Sequence, residues 1–168
     1  MLFCKQRVNI FGYQNQLLAV NTMGMTYWLN VRDGDLIESE ENDLSITCKL
    51  TDTLDRVCLA LGVQAISEFV DGTEMNQEYD DEFDVPDDDD ELYAEGTRPY
   101  PLDEMRWCTA NSGLETFRAL QTHLSESSES FELDADDADM LAAELDEIIE
   151  LLEEAAAQGR TFHLEMLG

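Results

Sequence analysis

Acidic residues are very unevenly distributed along this chain, and their distribution separates segments that can build a core from one that cannot. The chain has 39 Asp and Glu against 9 Lys and Arg, a formal net charge of −30 over 168 residues. Residues 1–31 contain no acid, whereas ten of the fourteen residues from 78 to 91 are acidic and none is basic. Because unpaired carboxylates are costly to bury, we expect residues 78–91, here called the acid block, to stay at the surface.

Length and composition predict one cytoplasmic domain over residues 1–168. With 43% hydrophobic residues the chain can bury a core, since a domain of this length hides about two thirds of its unfolded surface. No apolar run approaches the ~20 residues of a membrane span, and the N-terminus turns from apolar to basic, the reverse of a signal peptide. The four cysteines form no Cys-x-x-Cys pair, which favours reduced thiols.

The first half of the chain reads mainly as β-structure. Its β-forming residues predict an antiparallel meander of three strands over 2–11, 16–21 and 25–31, and alternation over 43–49 suggests a fourth. A short helix should follow, capped by Thr51 or Asp52 and ended by Gly62.

The second half reads as two helices and a strand. Ser112 and Glu115 form a capping-box pattern that predicts a helix start, and a longer helix is expected over about 134–158. The buried stripe predicted for that longer helix consists of Met140, Leu141, Leu145, Ile148, Ile149 and Leu152. Residues 162–166 alternate as a final strand returning to the sheet, with His163 on its open face. Trp28 and Trp107 are expected in the core.

These elements predict an α+β fold. An antiparallel sheet, made of the N-terminal meander and the C-terminal strand, should pack against two or three helices. Residues 74–98 are predicted to form a long acidic loop, whose charge is compatible with disorder.

The acid block is the predicted partner-binding site. It contains two aromatic rings, Tyr79 and Phe83, which could fill pockets while the carboxylates meet a basic surface. The residues assigned to this site are Glu78, Tyr79, Asp80, Asp81, Glu82, Phe83, Asp84, Asp87, Asp88, Asp89, Asp90 and Glu91. No Gly stands at the sixth position of an EF-hand loop starting at Asp84, Asp87 or Asp88, so no metal site is predicted.

No catalytic motif is found, and neither catalytic residues nor a cofactor are predicted. The pairs Cys108 with His123 and Cys4 with His163 carry no local signature of a nucleophile and its base. The last helix carries Glu144, Glu147, Glu150, Glu153 and Glu154, which could bind a metal, although a solvated face is the simpler interpretation.

The net charge favours a basic protein partner and disfavours direct contact with nucleic acid or anionic membranes. The function predicted is a non-enzymatic acidic binding protein or inhibitor that neutralises a toxin, nuclease or DNA-binding protein, as an immunity protein or nucleic-acid mimic does. Two alternatives stay open: a metal-dependent enzyme using acids of the last helix, and a salt-adapted housekeeping domain. The oligomeric state is left open.

Overall fold

A computed structural model describes residues 24–40, 43–73, 102–127 and 131–167, and shows an α+β fold. The strands are β1 (Thr26–Asp33), β2 (Leu36–Glu40), β3 (Val70–Asp71), β4 (Cys108–Thr109) and β5 (Thr161–Leu167). The helices are α1 (Ser45–Lys49), α2 (Thr51–Leu61), α3 (Ala110–Glu126) and α4 (Ala135–Ala157). Short 3-10 turns cover Ile66–Phe69 and Leu102–Glu104.

The described sheet is mixed, so the prediction of a purely antiparallel sheet is wrong. Its order is β2-β1-β5-β3, with β4 also pairing with β5. β1 pairs antiparallel with β2 and β5, whereas β3 runs parallel to β5. Parallel neighbours need a long connection between them. Here α3 and α4 both lie in the chain between β3 and β5, which allows the parallel pairing.

The N-terminal predictions have mixed outcomes. The strand expected at 25–31 is confirmed as β1, and the strand returning from the C-terminus is confirmed as β5, its neighbour. The strands predicted at 2–11 and 16–21 lie outside the described residues. The strand predicted at 43–49 is wrong, because Ser45–Lys49 is helical. β2 was not foreseen; it follows a turn in which Gly34 adopts a φ of 64°, a left-handed value suited to glycine.

The helices pack on one face of the sheet. Tyr27, Leu29 and Val31 alternate along β1 and point to this face, together with Phe162 and Leu164 of β5. Leucines, isoleucines and Phe117 from the helices complete the core. Apolar residues of the sheet and helices therefore share a single hydrophobic cluster on this side.

The two long helices test the local capping and burial signals, which are correct at the ends of α4 but not everywhere. Asp134 caps α4 by accepting a hydrogen bond from the Asp137 amide at 2.8 Å, and Gly159 ends it with a φ of 68°. The start predicted for α3 is three residues late, because Thr109 is the cap and accepts from the Ser112 amide. The predicted burial of Met140 is wrong, since 47% of this residue is exposed.

α4 is the longest described helix, and its buried stripe is apolar except for Glu144. Within the described part of the chain, none of the helices has the length and apolar character that crossing a membrane requires.

Gly113 lies where α3 meets the sheet, and we expect Gly113→Ala to destabilise the fold. An added Cβ would lie 2.6 Å from Cζ of Phe162 and 2.8 Å from Cδ1 of Leu152, both fully buried. Overpacking costs about 1–3 kcal/mol and helix propensity returns up to about 1 kcal/mol, so the net loss should be about 1–2 kcal/mol in urea denaturation. Asn111→Ala, exposed in the same turn, is the matched control and should change stability by less than ~0.5 kcal/mol. Equal stability of the two variants would show that Phe162 has room to move.

Candidate functional site

The sheet face opposite the helices is lined by polar and aromatic side chains. We call this the polar sheet face and define it by Trp28, Asn30 and Arg32 of β1 and Thr161, His163 and Glu165 of β5. Alternation along both strands puts these residues on one side, and the register places Asn30 opposite His163 and Trp28 opposite Glu165. Asn30 and His163 are fully buried, and only 9% of Glu165 is exposed. The expectation that His163 lies on an open strand face is therefore wrong.

His163 is held at both ring nitrogens. Its Nδ1 lies 3.1 Å from the carbonyl oxygen of Arg106, which can only accept, so Nδ1 donates. Its Nε2 lies 3.0 Å from Nδ2 of Asn30, and the same Nδ2 donates to Oε2 of Glu165 at 2.5 Å. Oδ1 of Asn30 is buried and has no hydrogen-bond partner among the residues that the structure describes. The three side chains thus form one buried polar network across β1 and β5.

Residues 102–107, which we call the strap, cover part of the polar sheet face. The Trp107 ring lies against the His163 ring, with centroids 4.3 Å apart. The Arg32 guanidinium lies 5.6 Å from the Trp107 centroid and forms a 3.1 Å ion pair with Asp103. Nε1 of Trp107 donates to the carbonyl of Leu102 at 2.8 Å. Trp107 and Trp28 are only partly buried and belong to this face, so the prediction that they are core residues is wrong.

Asp71 joins the two chain segments that border residues 74–101. Its Oδ1 accepts from the Thr73 hydroxyl and from the Arg106 amide, each at 2.9 Å. Asp71 also lies beside Glu165 in the β3–β5 register. The acid block itself, residues 78–91, lies outside the described residues. The described chain on either side of residues 74–101 therefore lies next to the polar sheet face.

Glu144 was predicted to belong to a solvated acidic face, and this is wrong. Only 9% of it is exposed, and its two carboxylate oxygens accept from the amides of Ile46 and Thr47 at 2.9 and 2.7 Å. These amides belong to the first turn of α1, whose N-cap, Leu44, has no side-chain acceptor. Burial raises the pKa of Glu144, although the bonds from Ile46 and Thr47 act in the opposite direction.

The other predicted acids of α4 remain at the surface. Glu147, Glu150, Glu153 and Glu154 are exposed, as the sequence interpretation of a solvated helical face expects. Among the described residues no group of three or more His, Cys, Asp and Glu side chains is arranged to hold a metal ion. The carboxylate expected to begin such a site, Glu144, is engaged in capping α1.

The structure does not bring the Cys108 and His123 pair together. Cys108 precedes the first turn of α3 and His123 lies in its last turn, about 20 Å further along the helix axis. His123 contacts the ring of Phe131, and burial raises the pKa of the Cys108 thiol, which keeps it protonated. Cys4 lies outside the described residues, so its pairing with His163 is not tested.

An open cleft of about 380 Å³ lies between the start of β1 and α1. Trp28 and Ile46 line it, together with Asp43 and Lys49. Both charged groups are engaged, because Asp43 accepts from the Thr26 hydroxyl at 2.7 Å and Lys49 pairs with Asp137 at 2.9 Å. The charge of Lys49 is therefore neutralised by Asp137, whereas Asp43 keeps its negative charge beside the cleft.

Cations in the described part of the chain are mostly neutralised by neighbouring carboxylates. In addition to Lys49 and Arg32, Arg118 pairs with Glu153, and Arg160 pairs with both Asp33 and Glu38. No described cation lies within ion-pair distance of Asp139, Glu147 or Glu150 on α4. The α4 surface consequently presents uncompensated negative charge.

Sequence reasoning missed the roles of Asn30, Asp71, Trp107 and His163. Asn30 offered one signal, since it is the only amide side chain within the otherwise apolar centre of β1. The others gave no signal, because their contacts join residues far apart in the chain. Comparisons with protein-family models, curated proteins and solved structures found no match to this chain.

Removing the Glu144 side chain should destabilise the protein. Glu144→Ala leaves the Ile46 and Thr47 amides without acceptors, which should cost about 1–3 kcal/mol. Because the pKa of Glu144 is raised in the fold, its carboxyl contributes stability that is present below the unfolded pKa and is lost as pH rises through the folded value. The cost of Glu144→Ala in denaturant titrations should therefore be greater at pH ~4 than at pH ~7.

The matched control is Glu147→Ala, one turn along and exposed, which should change stability by less than ~0.5 kcal/mol at either pH. A Glu144→Ala variant no less stable than this control would contradict the capping role.

Proposed function

We propose that this protein is a non-enzymatic acidic binding protein that neutralises a basic partner, such as a toxin, nuclease or DNA-binding protein. The observation that carries the proposal is the lack of charge compensation at three exposed acids of α4. Most described cations are taken up in ion pairs, while Asp139, Glu147 and Glu150 have no described cation within ion-pair distance. Added to the net charge of −30, this leaves a strongly negative surface.

A surface of this kind suits fast and salt-sensitive association. Charge complementarity raises the association rate with a basic protein and suppresses contact with nucleic acid, whose phosphates carry the same sign. At physiological ionic strength the field extends over a Debye length of about 8 Å, so added salt should weaken the complex steeply.

The acid block supplies the second part of the proposed interface. Tyr79 and Phe83 would contribute apolar anchors among its carboxylates. The hydrogen bonds of Asp71 support this role, because they hold Thr73 and Arg106, on either side of residues 74–101, at a common point of the sheet. The described chain on both sides of the segment that contains the block is thereby attached to the sheet.

We place this binding in the cytoplasm. The described cysteines, Cys48, Cys58 and Cys108, are free thiols, as a reducing compartment maintains. Burial raises the pKa of the Cys58 thiol to about 11, so this group stays protonated and inert at neutral pH.

The first test replaces residues 78–91 by a Gly/Ser linker of equal length. Immobilised wild-type protein should capture a basic protein from nuclease-treated lysate of the source cells at low salt and release it at high salt. The linker variant, and separately the Tyr79→Ala/Phe83→Ala variant, should retain on the order of a tenth or less of that protein, since anchor residues carry most of an interface's energy. Quantitative mass spectrometry of the eluates measures this. Equal retention by all three proteins would remove the acid block from the interface, and eluates without any basic protein would contradict the proposed function.

The second test asks whether α4 contributes by position or only by charge. The variant Glu147→Gln/Glu150→Gln/Glu154→Gln removes three charges from α4, and the control Asp35→Asn/Asp52→Asn/Glu104→Gln removes three exposed charges elsewhere. The α4 variant should bind the captured protein several-fold more weakly than the control, because close charge pairs count more than distant, screened ones. Equal affinities of the two variants would mean that α4 does not face the partner.

A further inference from the structure

The cleft between the start of β1 and α1 has the size of a small-ligand pocket and an aromatic wall. Its volume of about 380 Å³ falls within the range of about 300–1,000 Å³ that ligand sites usually have. Trp28, which is half-buried, lines the cleft together with Met25 and Ile46. These side chains offer a bound group an apolar surface, and the face of an indole ring also attracts a cation through its quadrupole.

Asp43 contributes a negative charge to the cleft that no described cation neutralises. Its Oδ1 accepts from the Thr26 hydroxyl at 2.7 Å, and none of the described cations lies within ion-pair distance of it. Because the hydroxyl is neutral, this hydrogen bond orients the carboxylate without removing its charge. The second carboxylate oxygen of Asp43 therefore remains an acceptor for a ligand beside the cleft.

The other charged group of the cleft, Lys49, does not offset Asp43. Its ammonium pairs with Asp137 at 2.9 Å, so the two charges of that pair cancel. Glu144 lies behind the cleft, where its Oε1 accepts from the Ile46 amide at 2.9 Å, and it adds negative charge when it is ionised. The charge around the cleft is consequently negative with or without Glu144, which favours a cationic ligand.

An aromatic wall beside a carboxylate suits a guanidinium better than other charged groups. The planar guanidinium can stack on an indole face while the N–H groups of its edge donate to a carboxylate. An ammonium is a compact and more strongly hydrated charge, so it gains less from the Trp28 ring. Anions are repelled both by Asp43 and by the net charge of −30.

We propose that the cleft binds an arginine side chain of the basic partner, with the guanidinium against Trp28 and paired with Asp43. This inference rests on the proposed function, because it assigns one residue type of that partner to one place on this protein. Arginine is among the residues that carry most of the binding energy of an interface when they enter a pocket. The cleft thus adds a specific anchor to a surface that otherwise attracts the partner by charge.

The first experiment uses the wild-type protein and needs no partner. N-acetyl-arginine N-methylamide is titrated into ¹⁵N-labelled protein at ~0.15 M salt, where attraction beyond about 8 Å is screened. Shift changes should saturate at the Trp28 indole and at the amides of Met25, Ser45 and Ile46, with a dissociation constant on the order of 10 mM, as one ion pair and one cation–π contact provide. The uncharged citrulline analogue should cause no saturable change at these residues, and the lysine analogue should bind several-fold more weakly than the arginine compound.

The second experiment compares Asp43→Asn with the control Asp35→Asn. The new amide of Asp43→Asn can still accept from the Thr26 hydroxyl but has no charge, so affinity for the arginine compound should fall about fivefold. Asp35 is exposed between β1 and β2 and does not line the cleft, and its replacement should change the affinity by less than about twofold. With the partner identified, calorimetry should show the same order, with the complex weakened more by Asp43→Asn than by Asp35→Asn.

Four results would overturn the arginine site. They are shift changes spread over the acidic surface without saturation at the cleft, a citrulline or lysine compound that binds as tightly as the arginine compound, equal affinities of the two variants, and nuclear Overhauser contacts that place a residue of segment 1–23 of the same chain against the Trp28 indole. Any of them, with capture of a basic protein intact, removes only the site. Eluates without any basic protein contradict the proposed function, whatever the arginine compound does.

Discussion

The pairing of β1 with β5 is the interaction on which the rest of the described structure depends. Its register puts Leu29 beside Leu164 on the helix side and Asn30 beside His163 on the other side. A shift by one residue would exchange the two faces, placing the polar side chains in the core. The same pairing brings residues 133 positions apart in the chain into one buried hydrogen-bond network. Core packing and the polar sheet face are thus two consequences of one register.

Glu144 shows how a tertiary contact can override a local pattern. Residues 43–49 alternate as a strand would, yet Ser45–Lys49 forms a helix. Its first-turn amides find their acceptors on α4, 98 positions away in the chain, and orphan amides of this kind must be satisfied wherever they are buried. Burial raises the pKa of Glu144, and the hydrogen bonds from the two amides offset part of the cost of burying its carboxylate. Met140, one turn earlier on the same side of α4, is nevertheless exposed.

The charge of the protein divides into two kinds of carboxylate. Asp71, Glu144 and Glu165 are buried and hold backbone or side-chain donors, so they shape the fold. Asp139, Glu147 and Glu150, exposed on α4, have no described cation within ion-pair distance and shape the field outside the protein. The strap is connected to both kinds. Its Arg106 amide donates to the buried Asp71, and the strap directly follows the segment that contains the acid block. The same small sheet can therefore hold a buried network that positions the strap while exposed carboxylates elsewhere serve binding through charge.

Local signals in the sequence were enough to determine the α+β class, the span and caps of α4, the turn at Gly62, and the return of β5 to the sheet. The helix span, caps and turn depend on neighbours within a few residues, where periodicity and capping chemistry act, whereas for β5 only its strand pattern is local. The net charge and its concentration at 78–91 were also evident from the sequence alone. The tertiary structure alone decided that β3 runs parallel to β5, that α1 is a helix, and that Asn30, Asp71, Trp107 and His163 meet. The reason is physical: whether a polar side chain is buried depends on which distant donors and acceptors reach it, and that is determined only when the strands have paired.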